Sequence, residues 1–428
     1  MGRKAAPVVS TPRQAPEIRS YQTMKEMNTK RFQPLLFAGD INVYSVARAF
    51  HEAYGIVSYC YGKFPSGPCM DSKIINYTAN AQADVPEVFH QLVTDFANEH
   101  ADETVILMGC GDSYVELAAR FKNDFPENVV APYIDVELMD RLIDKEQFYQ
   151  LCEKMGVDYP KTFIHRKDMG IDVELPFEAP YIVKPASGIE YWKHPFEGQK
   201  KVYIAKDYKE FQNILIDIYT AGYNDALIIQ EFIPGDDSAM RVLTSYSGKD
   251  GKVRMMCLGH VLLEEHTPHG IGNHACIITE HNEEVEQQFR ALLEEIGFVG
   301  FSNFDIKYDA RDGKYKAFEI NTRQGRSNYY VTNAGANVAK LVVEDYIENK
   351  PQEFYAVTEE HLWTVVPNSV MKTYIKDPAN RARVKALQRA GKAANPLKYA
   401  YDNGIKRRLR VTKSLLGQNV KFKKYLGK

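Results

Sequence analysis

Two alternating runs of residues bring carboxylates and amides to one side of a predicted β-hairpin. The runs Phe301–Tyr308 and Tyr315–Asn321 flank the segment Ala310–Lys314, which contains Asp-Gly, and Asp-Gly between two such runs is a strong hairpin signal. We expect the hairpin to be centred on Asp312, with side chains alternating between two faces. One face then pairs Asp305 with Glu319 and Asn303 with Asn321, and the other pairs Phe304 with Ile320 and Ile306 with Phe318.

The opposed carboxylates Asp305 and Glu319 predict a metal site. Like charges directly opposite each other destabilise a sheet, and a hard divalent cation would compensate them. Carboxylate and amide oxygens suit Mg²⁺, which commonly takes one or two carboxylates together with substrate phosphates. The alternative is a solvated hairpin face that is neutralised by nearby Lys or Arg side chains.

Lys184 ends the strand-like run Tyr181–Val183 and predicts a phosphate contact. Such a strand would bury part of the lysine, and burial of an unpaired ammonium group is costly. A phosphate would resolve that cost, and the Gly-bearing loop Pro185–Gly188 could close over phosphates. The alternative is a lysine whose ammonium group reaches solvent.

A strand that enters a Pro-Gly break predicts a nucleoside-binding segment. The run Ile228–Phe232 leads into Pro234-Gly235 and two acids. Backbone groups of Glu231 and Ile233 would meet the edge of adenine, and the Asp237 carboxylate would bind the ribose hydroxyls. The alternative is a strand that leads into an acidic turn.

Two arginines, Arg323 and Arg326, follow Glu319 within a turn. Arginine forks match phosphate and carboxylate oxygens in bidentate fashion. Their position beside the proposed metal ligands favours this role over an ordinary surface pair.

Strand–helix units precede these motifs. Between Pro34 and Tyr133 short apolar runs alternate with helical patterns, which indicates βαβ units and a parallel sheet. After a predicted helical stretch at Glu137–Met155, short strands come with hairpin signals. This pattern indicates an antiparallel α+β region and a domain boundary near residues 135–160.

The two ends of the chain differ from this body. Residues 1–32 are polar and lack periodicity, and we predict a disordered lead. From Leu362 onward the chain is sparsely apolar, with one predicted helix at Asn380–Arg389. This segment holds 17 Lys/Arg and 2 Asp/Glu, a net charge of +15, whereas the remainder holds 37 and 54, a net charge of −17.

Composition excludes several classes of protein. The 428 residues are 44% hydrophobic and 26% charged, which argues against wholesale disorder and predicts two to four domains at about 100–200 residues each. The sequence contains no run of about 18 apolar residues, the length that could span a bilayer. The six cysteines form no C-x-x-C pair, which favours a reducing cytosol.

Taken in order, these motifs resemble the ATP-grasp superfamily. Asp144-Lys145, by itself a common helix-surface pair, resembles its first lysine element, and Lys184 matches the second. Gln230–Asp237 matches the adenine and ribose segment, and Asp305, Glu319 and Asn321 match the metal triad. The resemblance implies a Rossmann-like parallel α/β domain at residues 33–135 and an ATP-grasp domain at 136–350, followed by a basic segment at 351–428.

Further runs resemble the bacterial D-aspartate ligase family, over roughly residues 34–351. They are Asp40–Tyr44, Gly109–Asp112, Phe232–Ser238, Arg254–His260 and Phe318–Ser327. Enzymes of that family activate the β-carboxylate of D-aspartate with ATP. The resulting acyl phosphate is attacked by the lysine ε-amino group in the stem peptide of a UDP-muramoyl pentapeptide, a peptidoglycan precursor.

The resemblance also implies a role for each candidate residue. Phosphoryl transfer needs positioning and charge neutralisation more than a protein nucleophile. ATP phosphates would contact Lys145 and Lys184, and Mg²⁺ would contact Asp305, Glu319 and Asn321. The transferring phosphoryl group or the substrate carboxylate would contact Arg323 and Arg326, with Arg241 as a further contact of the same kind; Gln230, Glu231, Ile233 and Asp237 would bind the nucleoside.

Several alternatives stay open at this point. The segment Glu264–His274 is either a flexible loop or an active-site lid that carries a general base. The enzyme could join a different amino acid or amine, or the chain could be a nucleotide-binding regulator without catalysis. The basic tail is either a solvated surface or a docking surface for an anionic precursor or the inner membrane leaflet. Nucleic acid is the least favoured partner, and the predicted location is the cytoplasm.

Overall fold

A computed structural model of the chain describes residues 31–186, 188–267, 270–350 and 352–427. The predicted disordered lead lies outside these ranges except for its last two residues. Phe32 already begins the first strand, and its buried ring packs against Phe50 and Tyr54 with ring centroids 6.3 and 5.3 Å apart. The first strand therefore starts slightly before the boundary that the sequence predicts.

The N-terminal part is a parallel sheet flanked by helices, as predicted. Its strand order is β3-β2-β1-β4-β5. The chain adds β2 and β3 on one side of β1 and then β4 and β5 on the other side, so the strand order reverses between β1 and β4. In open α/β sheets, ligands bind outside the carboxyl ends of the strands at such a point. The elements are β1 (Phe32–Phe37), α1 (Ile41–Tyr54), β2 (Ser58–Gly62), β3 (Ile75–Ala79), α2 (Pro86–Glu99), β4 (Thr104–Gly109), α3 (Asp112–Phe121) and β5 (Val129–Val130).

Two helices lead into a small antiparallel sheet of order β6-β9-β7-β8. The predicted helical stretch Glu137–Met155 is broken at Asp144, whose side chain accepts a hydrogen bond from the Gln147 amide and caps the second helix. The elements are α4 (Val136–Ile143), α5 (Lys145–Met155), β6 (Thr162–His165), β7 (Tyr181–Pro185), α6 (Gly188–Tyr191), β8 (Tyr203–Ala205), α7 (Tyr208–Thr220) and β9 (Leu227–Glu231).

A larger sheet follows, of order β14-β13-β10-β11-β12-β16-β17, with β15 paired to β11. Its mostly antiparallel strands continue the predicted α+β pattern. The elements before the C-terminal segment are β10 (Met240–Ser247), β11 (Val253–Glu264), β12 (His274–Glu280), α8 (Glu283–Glu295), β13 (Gly300–Asp309), β14 (Lys314–Asn321), α9 (Tyr329–Asn333) and α10 (Val338–Tyr346).

The C-terminal segment is more structured than its composition indicates. The predicted helix at Asn380–Arg389 is present, but β16 also extends the large sheet by pairing with β12, and the Trp363 side chain is fully buried. The elements are β15 (Tyr355–Ala356), β16 (Leu362–Thr364), α11 (Asn368–Tyr374), α12 (Pro378–Arg389), β17 (Ala393–Ala394) and α13 (Ile405–Leu426).

The hairpin β13–β14 has the expected register at its far end only. Asp305 pairs with Glu319 and Asn303 with Asn321, but Ile306 pairs with Ala317 rather than with Phe318. The turn closes with Asp309 opposite Lys314, half a residue earlier than a turn centred on Asp312. A β-bulge at Phe318 supplies one extra residue and restores the pairing that brings the two carboxylates together.

Buried apolar side chains form two separate clusters. One spans the parallel sheet, the large sheet and the C-terminal segment. The other lies between the small sheet and α7 and includes Val183, Phe211 and Leu215. Among the described residues, none of the helices combines the length and apolar character needed to cross a bilayer.

Candidate active site

Asp305 and Glu319, which we call the acidic pair, lie opposite each other at the centre of the candidate site. Glu319 accepts a hydrogen bond from the Lys145 ammonium group at 3.1 Å. Burial alone would raise its pKa, but the Lys145 and Lys184 ammonium groups hold the pKa of Glu319 at about 2. Burial and the opposed Glu319 carboxylate raise the pKa of Asp305 well above its usual range. Glu319 therefore has a basic partner. The charged form of Asp305 is destabilised by burial and by the opposed carboxylate.

This chemistry fits a hard cation shared with a ligand. Within the described ranges, Asp305 forms no ion pair with a basic side chain, and no third His, Cys, Asp or Glu completes a cluster around the pair. Asn321 is the neighbouring amide on β14, and its Oδ1 accepts a hydrogen bond from Arg323 at 3.3 Å. A cation here would need further oxygen ligands from outside the protein. Mg²⁺ commonly takes such ligands from substrate phosphates.

Lysines beside the pair form a pocket of positive charge. Burial, with the nearby ammonium groups of Lys145 and Lys201, lowers the pKa of Lys184 to about 7 although Glu319 opposes the shift. The Lys184 ammonium group lies 5.9 Å from the centre of the Phe318 ring. An anionic ligand would restore the stability of this charge. Lys201 is not predictable from the sequence as a site residue, because no strand or motif marks it.

The bulge at Phe318 connects the acidic pair to the nucleoside segment. It leaves the Phe318 carbonyl free to accept a hydrogen bond from the Tyr149 hydroxyl at 2.8 Å. That hydroxyl in turn accepts from the Gln230 side chain at 2.9 Å. The structure therefore uses the Gln230 side chain to join β9 to β14 through α5.

Glu231 is likewise held by its side chain. Its carboxylate accepts hydrogen bonds from the Lys161 amide, the Lys316 ammonium group and the Arg311 guanidinium at 3.0, 3.2 and 2.9 Å. Its role toward a base is therefore limited to the backbone, as is that of Ile233, whose apolar side chain is buried.

Asp237 lies in a cleft of about 440 Å³. Its carboxylate accepts hydrogen bonds from the Glu264 amide and from His266 Nε2, both at 2.9 Å. The cleft is also lined by Phe232, Lys307 and, from the C-terminal segment, Tyr374 and Leu426. The predicted ribose-binding acid and the predicted lid segment therefore share one cavity.

The two arginines bridge the large sheet to the parallel sheet. Arg323 Nε donates to Asp112 at 2.5 Å, and Arg326 lies 3.6 Å from Asp40 and 3.7 Å from Glu265. Asp40 and Asp112 follow β1 and β4, where the strand order reverses. The Arg326 Nη1 atom is buried and has no hydrogen-bond partner in the described structure.

The structure corrects the expectation for Arg241. On β10 it pairs with Ile306, whereas its neighbour Val242 pairs with Asp305, so the Arg241 side chain leaves the strand on the opposite face from the acidic pair. Its guanidinium forms an ion pair with Glu280 and donates to two backbone carbonyls. We therefore assign Arg241 to a structural ion pair instead.

Comparisons with known proteins show which family this chain is similar to. An ATP-grasp domain is recognised at residues 142–327. The D-aspartate ligase of Enterococcus faecium (strain Aus0004) is 41% identical over 414 residues, which cover 94% of this chain and 98% of that protein.

Two solved structures share the fold at low identity. N5-carboxyaminoimidazole synthetase from Staphylococcus aureus, complexed with ADP, has a TM-score of 0.55 at 14% identity over 78% of this chain and 83% of its own. The biotin carboxylase domain of 2-oxoglutarate carboxylase from Hydrogenobacter thermophilus, with MgADP, ADP and bicarbonate, has a TM-score of 0.54 at 14% identity over 76% and 72%. This chain belongs to the D-aspartate ligase family of ATP-grasp enzymes and is an ATP-dependent carbon–nitrogen ligase.

Proposed function

We propose that this enzyme joins the β-carboxylate of D-aspartate to the lysine ε-amino group of a peptidoglycan precursor, a UDP-muramoyl pentapeptide. The observation that carries the proposal is the 41% identity that extends over 98% of the D-aspartate ligase of Enterococcus faecium. The charges of the candidate site support it, because two guanidinium groups suit a substrate that has two carboxylates.

ATP would bind between the small sheet and the hairpin β13–β14. The positive charge for its phosphates would come from Lys145, Lys184 and Lys201. A bound anion would stabilise the charged form of Lys184, which burial and the other two lysines destabilise. Backbone groups of Glu231 and Ile233 would meet adenine, and Asp237 the ribose.

Asp305, Glu319 and Asn321 would hold Mg²⁺. When bound, the ion would neutralise phosphate charge and the repulsion between the two carboxylates. Lys145, which donates to Glu319 at 3.1 Å, would then be released to contact a phosphate.

D-aspartate would lie between the arginines and the carboxyl ends of β1 and β4. Arg326 offers for one substrate carboxylate its buried Nη1 atom, which has no hydrogen-bond partner among the described residues. Arg323 lies beside Asn321 for the carboxylate that reacts. Asp40 and Glu265, both within 4 Å of Arg326, would accept hydrogen bonds from the substrate ammonium group.

The reaction would proceed in two balanced steps. An oxygen of the β-carboxylate attacks the γ-phosphorus of ATP, the bond to the bridging oxygen breaks, and ADP leaves. The lysine amine then attacks the acyl carbon, the carbon–oxygen bond to phosphate breaks, and inorganic phosphate departs. The amine must lose a proton in this step, and the residue that we propose to accept it is Glu264.

Two observations on Glu264 support this role. Burial and the neighbouring Asp237 carboxylate raise its pKa to about 7, which suits proton transfer near neutral pH. Its Oε1 atom is buried and lacks a hydrogen-bond partner in the described structure, with His274 Nε2 3.9 Å away.

We place the reaction in the cytoplasm.

The substrate assignment can be tested by a screen of amino acids as carboxylate donors with one fixed amine acceptor. Phosphate release would be measured with Mg²⁺, ATP, the lysine-containing muramoyl pentapeptide and each D- or L-amino acid in turn. We expect release with D-aspartate only. Release with another amino acid would transfer the assignment to that substrate, and release with none would remove the assignment of this acceptor.

A further inference from the structure

The last helix, α13, presents two opposite faces. Its inner face is formed by Arg407, Val411, Gln418 and Phe422, all of which are buried. Its outer face carries four apolar side chains that are mostly exposed to solvent: Ile405 (82%), Leu409 (68%), Leu416 (62%) and Val420 (70%).

The spacing of these four residues places them on a single line along the helix. Steps of four, seven and four residues return to nearly the same side of an α-helix. We call Ile405, Leu409, Leu416 and Val420 the outer stripe. Single exposed apolar residues are ordinary, but a continuous row of them indicates an interaction surface.

The flanks of the outer stripe are strongly basic. The 22 residues of α13 contain eight Lys or Arg and no Asp or Glu. Arg407 and Arg410 are paired with Asp402 and Asp71. Among the described residues, the other six form no ion pair: Lys406, Arg408, Lys413, Lys421, Lys423 and Lys424.

We propose that α13 docks on the surface of an anionic phospholipid bilayer. The outer stripe would enter the boundary between headgroups and acyl chains, and the flanking lysines and arginines would contact the lipid phosphates, as amphipathic interfacial helices do. The charge argues against a second copy of this chain as the occupant, because two such helices would bring six unpaired basic residues against six.

Docking would bring the candidate active site close to the bilayer. Leu426 and Gly427, at the end of α13, line the same cleft of about 440 Å³ as Asp237. Docking of α13 would therefore place this cleft near the membrane surface. The docking itself depends on α13 alone and not on which amino acid the enzyme joins.

Vesicle sedimentation of the full chain tests this proposal. We expect binding to phosphatidylglycerol vesicles, little binding to neutral phosphatidylcholine vesicles, and loss of binding at about 0.5 M salt, where charges are screened. Leu409→Gln/Val420→Gln should weaken the partition by about tenfold or more, because both side chains leave the acyl boundary. The matched control is Val85→Gln/Ile216→Gln, which changes two exposed apolar residues elsewhere and should bind as the unaltered chain does.

Several results would overturn the proposal. One is equal binding by the Leu409→Gln/Val420→Gln variant, and another is binding that ignores lipid charge. A concentration-dependent dimer that this variant alone abolishes would assign the outer stripe to a second copy. Turnover with a soluble acceptor should be the same in both variants, so the ligase assignment and the docking can fail separately.

Discussion

At the scale of single residues, the site depends on one carboxylate that has a basic partner and one that does not. Lys145 neutralises Glu319, whereas Asp305 is half-buried opposite it and forms no ion pair in the described structure. The arrangement is costly in the protein alone, and the proposed phosphates and cation would make it favourable. We interpret this cost as preparation for the nucleotide.

Glu319→Gln tests the metal role. The variant keeps the shape of the side chain and removes the charge that a cation would need. We expect kcat to fall by about 100- to 1,000-fold, the range for loss of one group that stabilises developing charge, with the thermal midpoint nearly unchanged. Glu353→Gln, at an exposed position, is the matched control, and full activity of Glu319→Gln would remove the metal assignment.

Lys184 should make nucleotide binding depend on pH. Burial lowers its pKa to about 7, so the free enzyme loses this positive charge as pH rises through 7. Phosphates need the charged form, so binding of a non-hydrolysable ATP analogue should weaken by up to about tenfold per pH unit above 7. Calorimetry between pH 6 and 9 measures this slope.

Lys184→Arg is the control for that slope, because a guanidinium group stays charged over the whole range. The variant should show a flatter pH dependence even if its affinity is lower. An equally steep slope in both proteins would assign the titration to another group.

At the scale of elements, the hairpin β13–β14 shows how far sequence reasoning reached. The pairing of Asp305 with Glu319 is confirmed, but only because two deviations cancel: the turn closes early and the bulge at Phe318 adds a residue. Alternation of residue types predicts strands and faces well. It contains no signal for a bulge, which depends on Tyr149 being present to bind the freed Phe318 carbonyl.

Tyr149→Phe tests the contribution of the bulge. The change removes the hydroxyl that joins Phe318 to Gln230 and leaves a partly buried carbonyl without its donor. We expect the free energy of unfolding to fall by about 1–3 kcal/mol and KM for ATP to rise, both measured against Tyr159→Phe. Tyr159 stacks on Tyr149 with ring centroids 5.1 Å apart, and its hydroxyl forms no hydrogen bond within the described ranges, so an equal loss in both would contradict the prediction.

Two differences between the structure and the sequence-based predictions share a physical cause. Arg241 is adjacent to the nucleoside segment, but its partner Glu280 is 39 residues away and only the fold brings them together. Leu362–Thr364 is too short to predict as a strand, and it becomes one by pairing with β12. Partners distant in sequence decided both outcomes.

At the scale of the whole molecule, the C-terminal segment joins the parallel sheet to the rest. Asp402 accepts hydrogen bonds from the Tyr44 and Ser72 hydroxyls at 2.9 and 2.7 Å and forms an ion pair with Arg407 at 3.0 Å. The Arg407 guanidinium lies 4.1 Å from the centre of the Tyr44 ring. This buried cluster explains why the basic tail is part of the core.

Arg407→Leu should therefore be strongly destabilising. It leaves the buried Asp402 carboxylate without its cation, a change that costs about 3–5 kcal/mol in comparable buried pairs. We expect a clear fall in the midpoint of urea unfolding. Arg408→Leu, at the exposed neighbouring position, should change stability by only about 0.5 kcal/mol, and similar losses in the two variants would show that the ion pair is unimportant.

The contact between Tyr44 and Asp402 spans 358 residues of chain. During synthesis at about 5–20 residues per second, the first sheet would leave the ribosome roughly 20–70 s before the residue that completes its packing. Throughout that interval the nascent chain must keep a polar hydroxyl without its final partner. The parallel sheet is therefore synthesised well before the C-terminal segment, yet its packing is completed only after that segment has been made.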